Sequence, residues 1–175
     1  MPYFWASAPD EWNGTTHRDN SLIRWAADLQ RDFKARMDWC VEPYAGANHP
    51  PTVRLVGQRE RAAKAGHEIR LDARRSSDPD GDTLSYRWFF YPEPGSYRGP
   101  LIVEHADSPL ARLVAPPVAE PSTLHLVLAV TDSGVPRLTR YARVVLTVSP
   151  AQVENNGRRT EQTRDLSGAL QRENR

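Results

Sequence analysis

Residues 73–91 read ARRSSDPDGDTLSYRWFFY, and the two halves of the stretch carry different information. In the first half Ser76, Ser77, Asp78, Pro79, Asp80, Gly81 and Asp82 crowd together. Pro79 presets φ, Gly81 admits a positive φ, and the short aspartate side chains bond nearby backbone N–H groups, so a tight turn is expected. From Leu84 the pattern changes to period two. Leu84, Tyr86, Trp88 and Phe90 share one face; Ser85, Arg87, Phe89 and Tyr91 share the other. Such alternation marks a half-buried strand, here with a tryptophan at its inward centre.

Further strand candidates lie on both sides of it. They fall at 52–56, 67–72 (Ile69 and Leu71 inward), 101–104 and 111–115. Two longer ones follow at 123–131 (Leu124, Leu126, Leu128, Val130) and 139–148 (Ala142, Val144, Leu146, Val148), joined by the turn DSGVP at 132–136. Fifteen prolines and ten glycines suit a loop-rich β domain better than a helix bundle. Several short strands separated by turn signals read as an immunoglobulin/PKD-like β-sandwich, and about 100 residues is the usual size of one. A mainly β chain preceded by one α-helical segment is therefore expected.

That segment begins near Asn20 or Ser21, either of which serves as an N-cap. Leu22, Trp25, Leu29, Phe33, Met37 and Cys40 follow at spacings of three and four, one apolar stripe of a helix about five turns long. Arg24/Asp28 and Asp32/Arg36 stand four apart on its polar side. The helix should stop near Val41, because Pro43 follows. AGANHPP at 45–51 reads as a linker. The chain then divides into a helical region at 1–50, a sandwich at 51–149 and a polar tail at 150–175 expected to be disordered. Tyr3, Phe4, Trp5 and Trp12 precede the helix without a clear period; they read as anchors for a neighbouring domain or as a sugar platform.

Composition narrows the function. A net charge of +1 offers no basic field for nucleic acid, and no apolar run is long enough for a bilayer. The single cysteine, Cys40, forbids an internal disulfide and reads as a buried thiol. No basic region followed by an apolar run appears at the start, so no signal peptide is recognised.

Six segments in order, RWAADLQRDFKARMDWCV, ANHPP, SDPDGDTLSYRWFFY, EPGSY, TLHLVLAVTD and VPRLTRYARVVLTV, carry a family resemblance over residues 22–148. Together they resemble the cellulose-binding proteins that join a nucleoside-hydrolase-like N-terminal domain to a small C-terminal sandwich. The resemblance implies that residues before the linker match the end of the hydrolase-like domain, and that a secreted parent would be extracellular or periplasmic. Nucleoside hydrolases hold calcium and ribose through an aspartate cluster of the type DxDxxxDD, which this sequence lacks. A hydrolase label inherited through the family would lack its chemistry here.

Two candidate sites emerge from the residues. Asp78, Asp80 and Asp82 bring hard oxygen ligands together, which suits Ca²⁺, although D-P-D-G-D is not an EF-hand order and the same side chains can cap their own turn. Phe89 and Tyr91 on the outward face, with Glu93 and Tyr97 in the adjoining loop, offer rings and a carboxylate to a polysaccharide, with a β-glucan as the class that the resemblance implies. The alternative is that these rings pack against the N-terminal helix and that the sandwich is an interdomain packing module. Glu93, Glu104, Asp107 and Glu120 show no spacing that selects a glycosidase pair, and no nucleophile, zinc or phosphate-loop motif is present, so a non-catalytic chain is expected.

Overall fold

In the computed structural model, which describes residues 10–151, Trp88 is the centre of the core at 2% exposure. It lies in the middle of β5 (Ser85–Phe90), and its indole N–H donates to the Ser108 carbonyl at 3.1 Å. The inward phase of the strand is therefore the one its period-two pattern gives. The long hairpin β7 (Ser122–Thr131) and β8 (Thr139–Ser149) lies beside it. With β3 (Glu60–Lys64) these strands make one sheet in the order β3-β8-β7-β5, parallel between β3 and β8 and antiparallel elsewhere. The facing sheet is the antiparallel pair β4 (Glu68–Asp72) and β6 (Leu110–Val114). Leu71, Leu113, Leu124, Leu126, Leu128, Val144, Leu146 and Val148 fill the space between them, each at most 2% exposed. The chain is thus mainly β, an immunoglobulin/PKD-like sandwich with one helix.

Three segments depart from expectation. Residues 52–56 and 101–104 are not strands; each makes a single bridge, Thr52 to Ser77 and Glu104 to Arg112. Pro50-Pro51 and Pro100 precede them and supply no N–H groups to a ladder. Conversely, ERAAK forms β3 although alanine and charged residues have low strand propensity. Its ladder to β8 overrides that preference.

A short hairpin, β1 (Asp10–Trp12) with β2 (Thr15–His17), leads into α1 (Asn20–Asp38). Asp19 rather than Asn20 occupies the N-cap position, and it makes no capping side-chain bond. Asn20 is instead inside the helix and buried, its amide donating to the Thr15 carbonyl at 2.7 Å. The helix ends at Asp38, and Cys40 is exposed rather than buried, because it lies beyond the last turn. The linker is stitched to both sides. Trp39 Nε1 donates to the Asn48 carbonyl at 2.8 Å, and Asn48 Nδ2 donates to Asp132 at 3.1 Å and to the Pro136 carbonyl at 2.8 Å. His49 stacks between Trp39 and Tyr44. Among the described residues no helix is long and apolar enough to cross a membrane. Tyr3, Phe4, Trp5 and the tail from 152 onward lie outside the described residues.

Candidate functional site

The strand pattern that sends Trp88 inward sends Phe89 outward, and α1 covers that outer face. The register sets Phe89, Val127 and Arg143 in one row across β5, β7 and β8, and Arg87, Ala129 and Tyr141 in the next. Trp25 of α1 is set over them. Its ring centroid is 6.2 Å from Phe89, 6.2 Å from Tyr91 and 5.0 Å from Tyr141, the last two edge-on. Arg24 pairs with Glu93 at 3.0 Å and lies over the Tyr91 ring at 4.9 Å.

Phe89, Tyr91 and Glu93 are therefore brought together, with α1 as their partner rather than as an open platform. Tyr97 is apart from them: it packs on Phe90 and the inter-sheet core, and its hydroxyl donates to the Pro100 carbonyl at 3.0 Å. The loop bends it to the inward side of the strand, so it does not extend a row of rings.

Between α1 and the β7–β8 hairpin lies a groove of about 550 Å³, lined by Trp25, Leu29, Tyr91, Val127 and Tyr141 with Asp28, Asp32, Arg140 and Arg143. The Tyr141 hydroxyl donates to Asp28, which also accepts from Arg31 at 3.0 Å. Burial first, and then the Asp28 carboxylate, push the Tyr141 phenol above its usual range, so it remains a donor. Asp32 binds Arg36 and Arg140, each at 2.8 Å. The Arg36 bond above all, opposed by desolvation and reinforced by Arg140, holds Asp32 below the usual carboxylate range. Trp25 belonged to the helical stripe legible in the sequence. Tyr141 and Arg143 were missed, although their alternation with Ala142 and Val144 places them on the outer face.

At the acidic turn, the Asp78, Asp80 and Asp82 carboxylates each offer an oxygen within 4.8 Å of the others. Asp78 Oδ1 accepts from the backbone N–H groups of Asp80 at 2.9 Å and Asp82 at 3.2 Å. Asp80 accepts from His49 N–H at 2.6 Å, and Asp82 from the Ser133 hydroxyl at 3.0 Å. Asp78 Oδ2 is buried without a hydrogen-bond partner among the described residues, while these other oxygens serve the turn and the linker. Glu104 is held by Arg112 at 2.7 Å, and nothing in this geometry assembles a catalytic pair from it.

The architecture defines the class: an immunoglobulin/PKD-like sandwich with a helix laid on its four-stranded sheet. Residues 68–148, from the start of β4 into β8, match the family model described as cellulose-binding protein Sde0182, C-terminal domain. A solved structure from Saccharophagus degradans, a nucleoside hydrolase-related hypothetical protein associated with carbohydrate metabolism, is 39% identical with a TM-score of 0.69. The match covers 72% of this chain and 32% of that one, so the present chain spans about a third of that relative's length. The PKD domain of the KIAA 1837 protein is 21% identical with a TM-score of 0.43, over 61% of this chain and 95% of that domain. No curated protein matches the chain.

Proposed function

We propose that the chain is a non-catalytic carbohydrate-binding module for polysaccharide of the β-glucan class. The observation that carries this reading is the aromatic cleft between α1 and the sheet, where Trp25, Tyr91 and Tyr141 stand beside carboxylates and guanidinium groups. Sugar rings present C–H faces that pack on aromatic rings, and their hydroxyls take hydrogen bonds from polar groups at the rim. The match to a cellulose-binding family and the carbohydrate context of the Saccharophagus relative support the ligand class. Affinity electrophoresis through gels cast with soluble β-glucan, paired with depletion onto insoluble β-glucan, tests it. The folded chain should be retarded or depleted with little dependence on salt, since no net charge drives the contact. Unchanged mobility and no depletion refute the reading.

A second reading has its own observation. On the flank of α1 next to Trp25, Leu22 (57%), Phe33 (63%) and Met37 (48%) continue the same helical stripe and are exposed. A stripe of this kind is what a partner domain covers. In this reading the module also packs against a nucleoside-hydrolase-like domain of a longer parent. The relative's much greater length supports it.

A further inference from the structure

The ligand of the cleft is better defined than its family suggests. We infer that the groove between α1 and β8 takes a single, uncharged glycan chain from solution and does not grip the face of a crystalline polysaccharide. This rests on the carbohydrate-binding reading and deepens it.

Ring geometry is the first argument. A crystal face is flat and rigid, so binding it needs exposed rings in one plane. Here Trp25 is turned 80° from Tyr141 and 85° from Tyr91. Phe89, the remaining outward ring, is half-buried beneath Trp25. The rings thus form a corner, with the helix as wall and the sheet as floor, and a flat lattice cannot enter a corner. A lone chain can.

Size and charge are the second. About 550 Å³ lies within the range of about 300–1,000 Å³ usual for small-ligand sites. Two carboxylates, Asp28 and Asp32, balance two guanidinium groups, Arg140 and Arg143, around the groove. That balance gives an anionic or cationic ligand no advantage and suits a neutral polyhydroxyl chain.

The third is the state of the lining groups. Asp28 is occupied by Tyr141 and Arg31, and Asp32 by Arg36 and Arg140. The Arg143 guanidinium makes no hydrogen bond or ion pair among the described residues, which leaves its donors for ligand hydroxyls. Leu29 lines the same groove at 60% exposure and offers an apolar edge to a sugar's C–H face.

The test uses the full chain, cellohexaose in calorimetric titration, and depletion onto microcrystalline cellulose. Arg143→Ala and Leu29→Glu change the groove without touching the ring cluster that holds the helix, and their melting curves should match the parent. The parent should bind cellohexaose and be little depleted by the crystalline solid, and each variant should weaken cellohexaose binding by about tenfold or more. Depletion on the crystalline solid that both variants preserve, with no cellohexaose binding, overturns this inference and leaves the carbohydrate reading standing. Cellohexaose binding that neither folded variant weakens overturns the groove. No binding of the folded parent to either form overturns the carbohydrate reading as well.

Discussion

Replacing Trp25 by alanine should loosen α1 from the sheet. The ring is half-buried and touches Phe89, Tyr91 and Tyr141. A half-buried tryptophan removes roughly 150 Å² from water, which at about 25 cal/mol per Å² is about 4 kcal/mol. That figure is an upper one, because the unfolded chain already hides some of the same surface and alanine retains a little of it. The edge-on contact with Tyr141 adds about 1 kcal/mol. A loss of about 3 kcal/mol is therefore expected, which corresponds to a fall in Tm of roughly 6–12 °C for a domain of this size. Most helical stability in proteins comes from tertiary packing, so the far-ultraviolet helical signal should fall before the β signal does. Phe33→Ala is the internal control, since Phe33 is 63% exposed. It should change stability by no more than about 0.5 kcal/mol. Circular-dichroism melts of both variants decide the matter. Equal effects would refute the placement of the helix, and a larger effect of Phe33→Ala would mean that the helix is rotated to dock through the Leu22, Phe33 and Met37 flank.

Two other outcomes test the sandwich. Trp88→Ala should cost about 3–5 kcal/mol, because the side chain is fully enclosed and the Ser108 carbonyl loses its donor; a variant that melts within a degree or two of the parent contradicts the strand phase. His125 is buried on β7, and burial foremost, with the charge of Arg143, holds its imidazole below the usual range. Its folded pKa is thus lower than its unfolded one, so the unfolded chain binds the proton first. Stability should fall as pH drops through about 6.5 and level off below the folded pKa. His125→Gln should flatten that limb in melts between about pH 7.5 and 5, and an unchanged slope would show that another group is responsible.

Much of the fold was legible because alternation survives in the residues that matter. Leu84, Tyr86, Trp88 and Phe90 announce one phase, and Leu124 to Val130 and Ala142 to Val148 repeat it on the neighbouring strands. What escaped was either too short or set by partners. β3 is visible only through its ladder to β8, since ERAAK has neither β-branched nor aromatic residues. Asn20 reads as a cap in isolation, but its bond to Thr15 depends on a hairpin whose three-residue strands carry no periodic signal. Cys40 continues the helical spacing, yet the helix ends before it.

The site was half legible for a related reason. Period two separates Phe89 and Tyr91 from the core, but it does not say what covers them. The burial of β7 answers that question. Leu124 to Val130 are buried without a break, whereas a strand with a solvent face would alternate. A third layer is therefore required over His125, Val127 and Ala129. Across the sheet the outer residues run large, small, large: Phe89 and Arg143 flank Val127, and Arg87 and Tyr141 flank Ala129. The small central row makes a trough, and the indole of Trp25 lies over it between the rings of β5 and β8. A helix tied down by one large side chain cannot fill such a trough along its whole length. On the β5 side Arg24 and Glu93 close the gap with an ion pair. On the β8 side Leu29, Tyr141 and Arg143 line a gap that stays open. The cleft is thus a consequence of how unevenly one helix covers a grooved sheet.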